Sequence, residues 1–495
     1  MISRRTILAA APAALAAWPA QATPAAPAPY GALPTERQLR WHNLETTAFL
    51  HFTVNTFTDK EWGYGDEDPN IFQPAKFDAD AIVDALAAAE MRGVILTCKH
   101  HDGFCLWPTK TTDHSIRGSS WRSGQGDVVR SFSEAAARRR LSFGIYVSPW
   151  DRNNASYGTP AYIEIYRRQL TELLTGYGPV FEVWHDGANG GDGFYGGARD
   201  KRTIDKRTYY DWPHTWDLIR KLQPGAAIFS DVGPDVRWVG NERGIAGDPC
   251  WAAYDPVGAT GGPASPGDVR ERESPTGTRH GSHWLPPECD VSIRPGWFWH
   301  PAENARVKTP AQLIDLYYNS AGRGANLLLN VPPNRDGLLE AEDIRSLTAF
   351  GDYRRATFSR DLAAKAKVTA SDVRGNARAY AAANLVDGRT DTSWATNDRS
   401  LTPEAVIDFG RPVTFSVIRI REDIRLGQRI DGVTLDRWSD GVWQPLATAA
   451  SIGARRLIRL AKPVETNRVR LRVTASASPV VSEFAVFIEP GDAIR

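Results

Sequence analysis

The sequence predicts an α/β protein in two parts: a (β/α)8-type barrel over residues 35–357 and an all-β, jelly-roll-like sandwich over residues 360–495. Three observations carry this. Six compact apolar runs alternate with helical segments from about residue 35 to 355. No G-x-G-x-x-G or Gly-Lys-Ser/Thr loop follows any of them, which argues against an open nucleotide-binding sheet and for a closed barrel. Beyond residue 360 the helical pattern stops, and short alternating runs such as Val406–Phe409, Val417–Ile420, Val433–Leu435 and Val469–Val473 replace it.

Taken in order, the chain opens with Ser3-Arg4-Arg5-Thr6-Ile7-Leu8, two arginines ahead of an Ala/Leu-rich run. Ala20-Gln21-Ala22 supplies a small-x-small cleavage site. The paired arginines resemble a twin-arginine export signal, with an ordinary secretory signal as the alternative. Residues 1–22 are therefore read as a signal peptide, and the mature protein as periplasmic or secreted. Residues 23–34 read as a Pro/Ala linker. No other apolar run is long enough to span a bilayer, so no membrane insertion is expected after processing.

The expected barrel strands are Ala48–Phe52, Val94–Cys98, Leu141–Ser148, Val180–His185, Ala226–Asp231 and Asn326–Val331. Asp78–Met91 is a helix rich in Ala, Leu, Ile and Asp. Pro160–Gly176 opens on a proline and closes on a glycine, with Tyr162, Tyr166, Leu170 and Leu173 sharing one face. Thr309-Pro310 starts another helix, whose stripe is Leu313, Leu316 and Tyr317.

Lys plus Arg number 59 and Asp plus Glu 58, so nothing in the charge points to nucleic acid. Seventeen Trp, 15 Tyr and 18 Phe are a heavy aromatic load. Flat rings suit the C–H face of a sugar, but large α/β enzymes also bury many aromatics, and composition does not choose. The four cysteines, Cys98, Cys105, Cys250 and Cys289, show no C-x-x-C spacing, which argues against zinc and redox sites. Cys250 with Cys289 is one candidate disulfide.

The strand ends carry the chemistry. Val180–Gly190 reads V-F-E-V-W-H-D-G-A-N-G, a buried strand that breaks into a glycine loop at Asp186. A lone Asp-Gly is also a turn signal. The other strand ends favour a site: His51, then Lys99-His100-His101-Asp102-Gly103-Phe104, then Tyr146–Trp150, then Gly233–Glu242 after the fifth strand. Barrel enzymes gather their reactive groups at this end of the strands.

Two carboxylates on neighbouring barrel loops suit glycoside cleavage, and a retaining enzyme needs them about 5–5.5 Å apart. Asp186, on stiff strand-end backbone, is the candidate nucleophile. Glu242, farther along a glycine-rich loop, is the candidate proton donor, and Glu288 in Pro286-Pro287-Glu288-Cys289-Asp290 competes for that role. His100 and His101 with His51 and Asp102 form an alternative metal set. Adjacent residues on an extended segment point to opposite sides, which weighs against a shared ion. Recognition of sugar hydroxyls by neutral imidazoles is the better fit, and no catalytic metal or cofactor is expected.

These residues match a family. His51, Glu61-Trp62-Gly63, Lys99–Phe104, Val183–Gly190, Gly233–Glu242, Ser292–Phe298 and Asn326–Gly337 resemble the retaining α-L-fucosidases, over nearly all of residues 35–355. The strings G-P-D-V-R-W-V-G-N-E and S-I-R-P-G-W-F are similar to the branch that releases α-1,3- and α-1,4-linked fucose. The resemblance implies Asp186 as nucleophile and Glu242 as acid/base. It implies a fucose pocket of His51, Glu61, Trp62, His100, His101 and Tyr146, with Trp297 as the wall against the C6 methyl. The implied partner is a fucosylated oligosaccharide or glycan. The chain departs from the pattern at His185, where Phe is more usual, and in an insert around Phe194–Arg207. Asn384–Trp394 resembles the discoidin-like (coagulation factor type C) domains, which implies a possible structural Ca2+ and a possible galactose-type ligand. The competing expectations are a related exo-glycosidase of other sugar specificity and a catalytically inactive fucose-binding lectin.

Overall fold

The computed structural model describes residues 24–187, 194–195 and 199–491. The expected signal peptide, Ala188-Asn189-Gly190 and part of the Phe194–Arg207 insert lie outside the described residues. Eight parallel strands close into a barrel: β1 (Thr46–Leu50), β2 (Gly93–Lys99), β3 (Ser142–Val147), β4 (Glu182–Trp184), β5 (Ala227–Ser230), β6 (Val236–Trp238), β7 (Pro287–Ser292) and β8 (Asn326–Asn330). Each bonds to its neighbours in sequence, and β8 returns to β1 with Thr46 opposite Leu327.

Six helices of ten residues or more wrap the described barrel: α1 (Ala79–Ala88), α2 (Val128–Arg139), α3 (Pro160–Gly176), α4 (Trp212–Leu222), α5 (Pro310–Asn319) and α6 (Ala341–Phe358). Their starts are written in side chains. Asp78 accepts from Ala81 N, Asp127 accepts from Arg130 N, and Thr309 forms a reciprocal capping box with Gln312. The apolar face of α3, with Tyr162, Tyr166, Leu170 and Leu173, is buried against the barrel wall.

Strand–helix alternation fails on one side. β5 and β6 are parallel neighbours, Phe229 opposite Val236, yet only residues 231–235 join them. Parallel neighbours ordinarily need a crossover of about a dozen residues or more. Between β6 and β7 the described chain forms a short hairpin, Ala253–Tyr254 against His283–Trp284, and no α-helix. The sequence reading therefore missed β6 and β7. β6 is three residues long, and β7 opens on a proline and carries Glu288 and Asp290.

The barrel interior is filled by Phe49, Ile95, Tyr146, Trp184, Phe229, Val236 and Leu328, joined by Trp41 from before β1. Two carboxyls are buried with them. Trp41 Nε1 donates to Glu182 Oε2 at 3.1 Å, and Trp184 Nε1 donates to Glu288 Oε1 at 2.9 Å. Burial pushes both carboxyls up, Glu288 to about 8, so each favours its protonated form at neutral pH.

The C-terminal part is an antiparallel sheet whose two long strands, Glu404–Glu422 and Arg456–Ala475, pair with register shifts at Asp408/Val413 and Phe415/Val417. Such bulges let strands bend, and the sheet folds over a core that includes Trp394, Phe415, Ile418, Leu435, Leu471 and Phe484. In the loop for which the resemblance implies Ca2+, Asp387 accepts from Arg389 N and Thr392 Oγ1, and Asp391 pairs with Arg389. Those carboxylates are bonded within the loop rather than held open toward a cation.

The two parts share one interface. Val417, Leu457 and Phe487 of the sandwich belong to the barrel's outer core. Arg455, buried, donates from Nε to Ala321 O at 2.8 Å and from Nη2 to Ala325 O at 3.2 Å, and its Nη1 lies 2.7 Å from Glu45 Oε1. Burial opposes ionisation of Glu45, but Arg455 and Arg421 together hold its carboxyl well below the usual range. The Pro/Ala segment lies along the sandwich: Arg374 donates to Ala25 O at 2.6 Å, Tyr30 N to Leu426 O at 3.0 Å, and Arg429 to Ala28 O. All four cysteines are free and buried. Cys250 and Cys289 share a small core cluster with Val239, Ala246 and Ala325, and no bridge joins them.

Candidate active site

A cavity of about 340 Å³ opens at the C-terminal ends of the strands. Its walls include His51, Glu61, Trp62, His100, His101, Tyr146, Asp186, Glu242 and Trp297. That volume falls within the usual range for small-molecule sites. The geometry is built from the strand ends upward.

Asp186 follows β4 and is 20% exposed at its side chain. Tyr146, on β3, donates its hydroxyl to Asp186 Oδ2 at 2.7 Å, and His101 Nε2 lies 3.6 Å from the same oxygen. Burial and the Asp186 charge keep Tyr146 a phenol, its pKa well above the usual value. Gly187 has no substitute here: a Cβ would sit 2.1 Å from the Asp231 carboxylate. Asp231 also lines the cavity and accepts from Gly267 N at 2.9 Å. Burial, with Asp186 adding repulsion, pushes it up to about 7.

Neighbouring groups fix the three histidines. Asn330 Nδ2 donates to Ser292 Oγ and Trp297 O, so its Oδ1 accepts, and His51 Nδ1 at 2.9 Å must be the donor. That leaves His51 Nε2 as an acceptor. Ser148 donates to Trp150 O, so it accepts from His101 Nδ1 at 2.7 Å, and His101 Nε2 keeps its lone pair toward Asp186. Burial lowers His51 and His101 to about 4 and His100 well below its ordinary value, so all three are neutral at pH 7. Adjacent histidines were expected on opposite sides. The structure differs because β2 ends at Lys99, with its register to β3 shifted between Thr97 and Lys99. Beyond that point the His100 and His101 rings lie 4.1 Å apart, and both line the cavity.

The opposite wall follows β6 and β7. Trp297 packs its ring 5.2 Å from that of His51. Glu61 lines the cavity, but its carboxylate is engaged: it accepts from Trp297 N at 2.9 Å and Phe298 N at 3.2 Å and meets His300 Nε2 at 2.6 Å. Its contacts thus fix the turn that presents Trp297. Trp62, 52% exposed, stands edge-on to His101 and Trp150 at the mouth. Partial burial, and behind it the charges of Asp186 and Glu61, raises the Glu242 carboxyl.

Sequence reasoning missed three lining carboxyls, Asp231, Glu271 and Asp290. Asp290 accepts from Trp238 Nε1 at 2.7 Å, and burial holds it well above the carboxylate range. The available signal was alternation: Glu288, Asp290 and Ser292 share one face once Pro287–Ser292 is recognised as a strand. Glu288 lies below the cavity on Trp184 rather than in it. His185, the departure from the family pattern, is fully buried against Tyr166, whose hydroxyl is 2.9 Å from its Nδ1. Asp102 is likewise outside the cavity lining and accepts from Thr53 Oγ1 and Phe104 N.

Comparison with known proteins decides the family. The alpha-L-fucosidase family model matches residues 17–357. The chain belongs to the α-L-fucosidase family. A second model, the F5/8 type C domain, matches residues 367–484. Alpha-L-fucosidase 1 of Arabidopsis thaliana is 42% identical over 469 residues, spanning 94% of this chain and 89% of that protein. Among solved structures, a Ruminococcus gnavus fucosidase in complex with fucose superposes with a TM-score of 0.85 at 32% identity, covering 96% of this chain and 98% of that one. A glycoside hydrolase 29 family member from an unknown rumen bacterium gives 0.81 at 40% identity, over 94% and 79% of the two chains. This α-L-fucosidase is thus a glycoside hydrolase in which a closed eight-stranded barrel precedes an F5/8 type C sandwich.

Proposed function

We propose that the enzyme releases terminal α-1,3- or α-1,4-linked L-fucose from oligosaccharides or glycoconjugates, with retention of configuration, using Asp186 as nucleophile and Glu242 as acid/base. The observation that carries this reading is the Asp186 carboxylate, held by Tyr146 at the end of β4 in a cavity it shares with Glu242. An oxygen of Asp186 attacks the anomeric carbon. The glycosidic C–O bond breaks, and its electron pair goes to the leaving oxygen, which takes the Glu242 proton. In the second step Glu242 takes a proton from water. The water oxygen attacks the anomeric carbon, and Asp186 leaves with the ester electron pair.

Electrostatics support both roles of Glu242. Part of its elevation comes from the Asp186 charge. Forming the ester removes that charge, so the Glu242 pKa falls when the mechanism needs a base. The lone pairs of neutral His51 and His101 suit sugar hydroxyls, and the Trp297 face suits the C6 methyl. The strings around β6 and after β7 support the α-1,3/1,4 branch. The same reading makes residues 1–22 an export leader and the mature enzyme periplasmic or secreted.

The test is a hydrolysis screen over α-1,2-, α-1,3- and α-1,4-fucosylated oligosaccharides, with NMR of the first-formed sugar. Release from the α-1,3 and α-1,4 substrates as α-fucose is expected. Cleavage of the α-1,2 link alone, or β-fucose as first product, would overturn the reading. Asp186→Ala should lose several orders of magnitude in kcat, and added azide should restore turnover with an inverted product.

A further inference from the structure

We propose that the same cavity binds one borderline divalent cation, with Zn2+ as the type case, on His100, His101 and Asp186, and that the ion and the sugar exclude each other. The ion is an inhibitor in this scheme; the exclusion of the sugar and the kinetic readout rest on the proposed function, and the binding of zinc itself does not.

Strand alternation should have sent His100 and His101 to opposite faces. Because β2 stops at Lys99, both rings instead meet the nucleophile's side of the cavity. One potential ligand atom from each of His100, His101 and Asp186 lies within 4.8 Å of the other two. The His101 Nε2 to Asp186 Oδ2 distance is 3.6 Å. Two ligands about 2.05 Å from a tetrahedral zinc ion stand roughly 3.3 Å apart, so that edge needs little movement and the others a modest side-chain rotation.

The surroundings are those of a metal site. Ser148 holds His101 Nδ1 at 2.7 Å and so aims the Nε2 lone pair, while Tyr146 holds Asp186. Outer partners of this kind orient metal ligands and raise their affinity. Two nitrogens and one carboxylate oxygen suit zinc and its neighbours, not Mg2+ or Ca2+, which seek oxygen. Three protein ligands on one wall of an open cavity leave the fourth position to water. The atoms that would hold the ion are those proposed to hold and attack the sugar, so occupancy by one prevents the other.

Zinc chloride titrated calorimetrically into the whole protein at neutral pH should fill a single site, and magnesium chloride should give no such binding. Saturating fucose should abolish the zinc signal. Asp186→Asn and His101→Gln should each weaken zinc binding by about tenfold or more, and Ser148→Ala by about 10–100-fold, the range for outer partners. In assays zinc should raise KM for a fucoside without changing kcat, and EDTA should reverse it. Zinc binding that persists in Asp186→Asn places the ion elsewhere and ends the proposal, as does no binding at millimolar zinc; binding that is lost in Asp186→Asn but persists in saturating fucose overturns the exclusion of the sugar. Asp186→Asn conserves volume, so it decides the matter even if His101→Gln does not fold. The titration does not use turnover, so it stands apart from failure of the proposed function.

Discussion

The indole of Trp184 donates to the carboxyl of Glu288 across 2.9 Å, and both side chains are buried inside the barrel. Asp186 lies two residues beyond Trp184 and marks the level of the chemistry; Glu288 belongs to the layer beneath. Glu288 was weighed as a competitor for the acid/base role on sequence alone. Glu288 is not part of the cavity lining, whereas Asp290, two residues on in β7, is.

The first prediction concerns stability. The folded pKa of Glu288 is raised to about 8 from 4.5. Between those values the folded state holds a proton that the unfolded state has lost, so this group's contribution to stability falls as pH rises through that window. Glu288→Gln keeps the shape and removes the titration. The melting temperature of the variant relative to wild type should therefore climb from pH 5 to pH 8, with KM for a fucoside unchanged. A KM effect without this trend would return Glu288 to the substrate site.

Glu242→Gln should discriminate between leaving groups. An acid catalyst matters most when the departing oxygen is a poor leaving group. On a natural oligosaccharide the variant should lose about 10²–10⁴-fold in kcat. On an activated fucoside such as the 2,4-dinitrophenyl derivative the first step should fall much less. The fucosyl-enzyme should then accumulate and give a burst. Equal losses on both substrates would remove Glu242 from the acid role.

Tyr146→Phe tests the contact that holds Asp186, the proposed nucleophile. A hydrogen bond to a charged group contributes about 1.5–3 kcal/mol. Removing the 2.7 Å bond to Asp186 should therefore lower kcat by about 10–100-fold through that one interaction. The melting temperature should stay near wild type, because the ring itself remains packed on Trp184 and Phe49. Full activity in the variant would show that Asp186 needs no such partner.

Arg455→Ala tests the interface. It leaves the Ala321 and Ala325 carbonyls without this donor and Glu45 with one guanidinium fewer. Breaking a buried pair costs about 3–5 kcal/mol, and Arg421 should offset part of that. The expected result is a melting temperature lower by several degrees and, well below it, an unchanged KM. A melt like that of wild type would mean that the sandwich and barrel stand independently.

Much of this architecture was legible in the chain. Long periodic segments such as Pro160–Gly176 announce themselves, because an amphipathic face and a proline start are local properties. The strand ends at His51, His100 and Asp186 were legible because apolar runs break there into polar, glycine-rich loops. β6 and β7 were not, because their length and charged residues make sense only inside a closed barrel, where Trp184 and Trp238 supply donors to Glu288 and Asp290. The His100–His101 convergence was hidden for a similar reason: alternation holds only while the strand lasts, and its end at Lys99 is set by pairing with β3. Asp231 closes the expected strand Ala226–Asp231 but was not singled out; its place in the site comes from Gly187, pressed against it from another strand end.

The strap at residues 24–30 has a consequence for how the molecule is made. Its bonding partners, Arg374, Leu426 and Arg429, are synthesised more than three hundred residues later. Residues 24–30 thus find these partners only after most of the chain has been made. Until the sandwich exists, the carbonyls of Ala25 and Ala28 and the amide of Tyr30 have none of these partners, so this strap closes on the domain that is made last.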